Sequence, residues 1–143
     1  MPLWLSESDV CAALSLPGLV DAMERALAAF SAGEVVQPVR TALEIGDLAF
    51  FAVMPAFGGS RPVAGAKLVS VIAANAEKGL PTHRAAIALF DGGHSGLMAV
   101  VDGRYITEVR TAAVSAVSVR RLAREDASVL AILGSGVQAR SHL

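Results

Sequence analysis

The chain has 143 residues, 12 of them Lys or Arg and 13 Asp or Glu, for a formal net charge of −1; 54% are apolar and 17% charged, and the mean hydropathy is +0.56. The scattered charges offer no basic stripe for a phosphate backbone, so nucleic acid is not an expected partner. Nor is a membrane, because apolar stretches such as residues 48–57 fall far short of the roughly 20 residues a spanning helix needs. The opening MPLWLSESD lacks the layout of a secretory leader. The lone Cys11 permits no internal disulfide, and no Cys/His spacing suits a metal. A cytoplasmic protein is expected, with Cys11 a small core residue. So apolar a chain with balanced charge also implies a surface that meets another domain or subunit.

In chain order, the first expected element is a short helix opened by Ser6, with Asp9 three residues on as a reciprocal cap. A second helix is expected over residues 17–32, with Leu19, Val20, Met23, Leu27 and Phe30 on one face and Gly33 as its stop. From Val35 the apolar period shortens to two. Val39, Leu43 and Ile45 alternate with Arg40 and Glu44, and Gly46-Asp47 joins this strand to one over residues 48–55 as a two-residue hairpin. Strands over residues 63–73, 85–90 and 97–101 follow, separated by glycine-rich turns. Thr107 reads as the N-cap of a helix over residues 108–124, whose Ala112, Ala113, Ser115, Ala116 and Ser118 suit close packing. After Arg124, Glu125 and Asp126 comes an unbroken apolar run, Val129 to Leu133, of the kind that forms a fully buried parallel strand.

These elements predict an α/β fold: N-terminal helices plus a mainly antiparallel sheet over residues 1–126, then the first strand and turn of a truncated Rossmann domain over residues 127–143. The turn is Gly134-Ser135-Gly136-Val137-Gln138-Ala139, of the form G-x-G-x-x-A. Gly134 allows the tight turn, Gly136 lets a pyrophosphate approach the backbone, and Ala139 permits close helix–strand packing, with N–H donors at the helix start. An ordinary glycine-rich loop has the same spacing, and the acidic residue that separates NAD from NADP would lie beyond Leu143.

Several charges look out of place. Arg110, in the first turn of a helix opened by Thr107, would oppose the macrodipole unless an anion is held there, for which its planar fork suits a carboxylate; the alternative is an arginine extended into solvent. Lys67 shares an apolar strand face with Val63, Val69 and Val71. It is either an edge gatekeeper or a placed charge that binds a carboxylate or exchanges a proton with an amine or imine. Arg40 lies on the polar side of its strand. Thr82 and His83, after the loop over residues 75–81, either line a pocket or lie exposed.

The segments QPVRTAL (37–43), VMPAF (53–57), GAKLVS (65–70), GLPTHRA (79–85), LFDGGHSGLMAVVDGRYITEVRTAAVSAV (89–117) and LAILGSGVQARSHL (130–143) together resemble the ornithine cyclodeaminase and mu-crystallin family. The resemblance implies a substrate-binding and dimerisation domain followed by an NAD- or NADP-binding Rossmann domain, acting as a homodimer on a small amino or imino acid. It implies a carboxylate held by Arg40 and Arg110, with Lys67 at the reacting centre as the catalytic residue and a substrate contact, and Thr82 as a further substrate contact. On the cofactor side it implies Thr111, Gly134, Ser135, Gly136, Val137 and Gln138. The expected chemistry is either cyclodeaminase-like or ketimine reductase-like, and a catalytic aspartate of the cyclodeaminases falls outside this sequence. The Thr82-His83 pair leans toward the reductase arm. The rival expectations are a mu-crystallin-like binding protein without turnover, or a 143-residue chain inactive by itself.

Overall fold

A computed structural model describes residues 1–143. A short strand, β1 (Leu3–Leu5), leads into helices α1 (Glu7–Ala13) and α2 (Leu16–Ser31). Ser6 caps α1 reciprocally: its hydroxyl accepts the Asp9 N–H at 3.3 Å and the Asp9 carboxylate accepts the Ser6 N–H at 2.8 Å. α1 buries Val10, whereas Cys11, expected in the core, is exposed. One helical step, about 100°, separates the two, so only one can face the sheet. α2 carries Pro17 in its first turn and ends before Gly33, whose φ of 77° is the left-handed conformation that stops a helix.

Strands β2 (Val35–Val36), β3 (Thr41–Gly46), β4 (Ala49–Gly58), β5 (Val63–Ile72), β6 (His83–Asp91) and β7 (Leu97–Asp102) join β1 in one sheet of order β1-β7-β6-β5-β4-β2, with β3 also on β4. All pairings are antiparallel except β1 with β7, so the expected mixed α/β fold with a mainly antiparallel sheet is the one observed. The hairpin between β3 and β4 turns on Asp47 and Leu48, with a register shift between Glu44 and Gly46. The turn therefore lies one residue later than Gly46-Asp47. β4 also runs on through Pro55 rather than ending there. β3 reaches back only to the Thr41–Val53 pair and β2 begins at Val36–Phe57, so Met54, Pro55 and Ala56 have no strand on that edge and the missing proline N–H breaks no ladder.

The helix α3 (Arg104–Leu122) begins four residues before the expected start and is capped by Gly103, not Thr107. A Cβ on Gly103 would lie 2.9 Å from the Ala85 Cβ and 3.3 Å from the Ile87 Cγ1. That closeness lets the helix start against β6 and leaves Thr107 inside it, where its hydroxyl donates back to the Gly103 carbonyl at 2.7 Å. α3 buries Val109, Ala113 and Val117 and packs along α2. The apolar run Val129 to Leu133 is not a strand: residues 128–135 form no regular element, and Val129, Leu130 and Leu133 are exposed. No strand pairs with it among the seven of the sheet, and a parallel strand exists only through its neighbours. The helix α4 (Val137–Ser141) does form directly after the glycine turn and rests on α3.

The core is thin, with 9 of 143 residues buried, because one face of the sheet is covered by α1 and α3 while the opposite face has no layer over it. By strand register the uncovered face carries Trp4, Leu43, Phe57, Leu68, Phe90 and Met98, all of them exposed.

Candidate active site

The helix-covered face of the sheet carries the charges that the sequence made conspicuous. Lys67 pairs across with Met54 on β4 and Ile87 on β6, and Ile87 with Val101 on β7. Arg40 stands one residue before Thr41, the partner of Val53, which puts it level with Met54 in the same cross-strand row. Successive side chains alternate between the two faces, so this row places Arg40 and Lys67 on one side, two strands apart or roughly 10 Å at the backbone. The reach of the two long side chains closes that separation.

α3 supplies the third cation from above. Its second turn holds Arg110, half-buried, one turn beyond Thr107. The Lys67 Nζ donates to the Thr107 Oγ1 at a long 3.4 Å, while the same hydroxyl donates to the Gly103 carbonyl. Burial lowers the Lys67 pKa from its usual 10.5, and the positive charges of Arg110 and then Arg40 lower it further. His83, half-buried at the start of β6, is also held below its usual 6.5, first by burial and then by Lys67, Arg104 and Arg110, with Asp102 opposing. Lys67 and Arg110 thus crowd each other where both are half-buried, with the exposed Arg40 adding its charge. An anion placed among them would relieve the repulsion and bring the Lys67 pKa back up.

No carboxylate lies within ion-pair distance of Arg40, Lys67 or Arg110, although the other arginines of α3 are all paired: Arg104 with Glu7 and Glu108, Arg120 with Asp21 and Glu24, and Arg121 with Glu24. A cavity of about 780 Å³ opens beside Lys67 between α2 and the sheet, with Ala26, Ala29, Met54, Val63 and Leu89 among its walls. No cluster of His, Cys, Asp and Glu suits a metal ion.

Of the expected substrate residues, Arg40, Lys67 and Arg110 come together and Thr82 does not join them. Thr82 lies exposed in the loop before β6, five residues along from Ile87, and its carbonyl accepts the Ile72 N–H at 2.9 Å to close the β5–β6 connection. The reason given for Arg110 changes as well. Because α3 starts at Arg104, Arg110 is clear of the first turn, and the unpaired cluster, not the helix dipole, marks it. Thr107 was legible only as a cap; that Lys67, in the middle of β5, reaches it needed the register of the sheet. Thr111 lies one turn past Thr107, its hydroxyl donating to the Thr107 carbonyl at 2.7 Å. At the far end, Gly134 has a φ of 112°, and a side chain added at Gly134 or Gly136 would meet nothing within 4 Å. The turn of Gly134, Ser135 and Gly136, with Val137 and Gln138 opening α4, is therefore bare backbone.

Residues 2–143 match the ornithine cyclodeaminase/mu-crystallin family. The chain is 41% identical over 146 residues to the ketimine reductase mu-crystallin of Mus musculus, covering 99% of this chain and 47% of the relative. Among solved structures it is similar to the Thermococcus litoralis Delta(1)-pyrroline-2-carboxylate reductase in complex with NADH and L-proline, at 35% identity and a TM-score of 0.91 over 97% of this chain and 43% of that one. It is also similar to an archaeal alanine dehydrogenase dimer with bound NAD, at 31% identity and a TM-score of 0.92 over 98% of this chain and 43% of that one. The chain thus spans a little under half the length of the proteins it matches. No helix is long and apolar enough to cross a membrane.

Proposed function

This chain belongs to the ornithine cyclodeaminase/mu-crystallin family, and from that premise we propose that it is the substrate-side part of an NAD- or NADP-dependent enzyme that reduces a small cyclic α-imino acid. The observation that carries the reading is the convergence of Arg110 and the exposed Arg40 on Lys67, none of the three paired with a carboxylate, with Lys67 and Arg110 half-buried. An α-imino acid presents there a carboxylate for the two guanidinium groups and, one carbon away, a nitrogen for Lys67. Arg110 offers two parallel N–H donors to the carboxylate oxygens, and Arg40 adds a second positive charge across the row. Lys67 donates to the imine nitrogen and keeps it polarised. The nicotinamide cofactor supplies the hydride when bound, and the protein's task is to hold the imine carbon in range of it.

The glycine turn suits the pyrophosphate of such a cofactor. Its positive-φ Gly134 and open Gly136 leave room for close approach to the backbone, and the start of α4 turns N–H groups toward that space. Residues 1–126 make the substrate-binding and dimerisation domain in this reading, residues 127–143 begin the Rossmann domain, and Thr111 on α3 is a cofactor contact. The names of the reductase relatives favour imine reduction over cyclodeamination. The uncovered apolar face of the sheet supports a homodimer, since leaving Trp4, Phe57, Leu68 and Phe90 in water forfeits burial worth roughly 25 cal/mol per Å². A cytoplasmic enzyme fits the unpaired, exposed Cys11.

The test is oxidation of NADH or NADPH by the full-length protein with Delta(1)-pyrroline-2-carboxylate and its six-membered homologue, alongside ornithine in the opposite direction. Turnover of an imine is expected. Tight cofactor binding with no turnover of any imino or diamino acid would move the reading to a binding protein.

A further inference from the structure

α3 carries four serine and threonine side chains, and three of them fold back onto their own helix: Thr107 donates to the Gly103 carbonyl, Thr111 to the Thr107 carbonyl and Ser118 to the Val114 carbonyl. Ser115 alone turns outward. Its Oγ lies 2.9 Å from the His142 Nε2, in a half-buried contact. The other ring nitrogen, Nδ1, is 2.6 Å from the Gln138 carbonyl, which can only accept. Nδ1 therefore carries the proton, and Nε2 accepts from the Ser115 hydroxyl. The imidazole thus ties the helix that follows the glycine turn to the helix that carries Arg110.

This tie is the one side-chain hydrogen bond that joins α3 to the residues after the glycine turn, and α4 packs against α3. Ser115 is five residues from Arg110, about 7.5 Å along one rigid helix. A displacement of α4 on α3 shifts the glycine turn relative to the clamp without altering either.

We propose that the Ser115–His142 hydrogen bond is a latch that sets the offset between the substrate clamp and the glycine turn, so that Ser115 and His142 are positioning residues for the hydride transfer. The proposal rests on the functional reading above. Transfer over a gap of about 3–3.5 Å tolerates little misalignment, and an error near 1 Å can cost a hundredfold in rate. The latch therefore acts on kcat, while the clamp and the glycine turn each keep their own affinity.

The test uses the full-length enzyme and the pair Ser115→Thr and Ser115→Val, which add the same bulk and differ only in a hydroxyl. His142→Ala and the Ser115→Val/His142→Ala double variant complete the cycle. Ser115→Thr is expected to keep most of kcat, and Ser115→Val and His142→Ala each to lose about tenfold. KM for the imino acid and Kd for the cofactor should stay within about twofold, and the double variant should be no worse than either single. Amide hydrogen exchange across residues 137–143 should quicken in the variants that lose the latch. Equal behaviour of the Thr and Val variants, losses that multiply in the double variant, a loss residing in cofactor Kd, or unchanged exchange would each overturn the latch. Inactivity of the wild-type enzyme toward every imino acid overturns the functional reading and the latch's role together. An active wild type with indifferent variants overturns the latch alone.

Discussion

The arginines at the two ends of α3 and the one between them are treated in opposite ways. Arg120 and Arg121 bond to Asp21 and Glu24 on α2, and at the other end Arg104 grips Glu7 on α1. These guanidinium groups fasten helices together and are satisfied inside the molecule. Arg110, on the same helix, faces Lys67 and Arg40 and has no acid at all. Three arginines of one helix are paired and the fourth is left among cations, which is the arrangement the proposed carboxylate clamp requires.

The comparison is sharpest under substitution. Arg110→Ala should lower kcat/KM for an imino acid in the full-length enzyme by about 10- to 150-fold, the range expected for a charge-assisted hydrogen bond of roughly 1.5–3 kcal/mol, while Tm holds or rises as a crowded positive charge is removed. A variant that loses Tm and leaves kcat/KM intact would make Arg110 another fastener. Lys67→Met, close in shape and without charge, should cost about tenfold or more in kcat. It should also flatten the stability profile at high pH. The folded-state pKa of Lys67 lies below that of the unfolded chain, so its charged form opposes folding at lower pH, and stability recovers as pH rises from the folded pKa toward 10.5. Denaturant titrations of both proteins across that window read the difference.

Arg104→Gln should do the reverse of Arg110→Ala, lowering stability by at most about 1 kcal/mol for a pair one-third exposed and leaving kcat/KM within twofold. The smallest effect is the acid dependence of the same pair. The bonds from Arg104 hold the Glu7 carboxyl below its ordinary 4.5, with burial opposing. Its contribution is full above 4.5 and fades as pH falls through the depressed value, so Glu7→Gln and the parent chain should converge in Tm on acidification. Divergence at low pH would mean that the pair is not the one titrating.

How far the sequence disclosed this arrangement depended on the range of the interaction. Capping at Ser6, the stop at Gly33 and the alternation around Lys67 are local, and each was legible. The face shared by Arg40 and Lys67 was half legible: period two orients each residue on its own strand, but that both strands flank β4 and its partner in one row is a matter of register. The start of α3 misled, because Thr107 has the residue type of a cap while Gly103 has the clearance, and clearance against Ala85 and Ile87 is invisible in a linear chain. β1 was missed because three residues give no period to read. The run from Val129 to Leu133 has strand composition but no partner here. Ser115 and His142 were unreadable as a pair, since 27 residues separate them.

Pro55 has a consequence of a different kind. A long, flat outer strand is a template on which foreign chains, or misfolded copies of the same chain, can add themselves hydrogen bond by hydrogen bond. β4 runs ten residues along that side of the sheet, yet its middle is interrupted by a residue with no proton to offer, and its two ends are already taken by β2 and β3. An invading strand would meet two occupied stretches and, between them, a gap that cannot complete a ladder. The segment that crosses this gap ends in Arg40, so the irregularity that places a charge in the row of Lys67 also denies an invading strand a continuous ladder along β4.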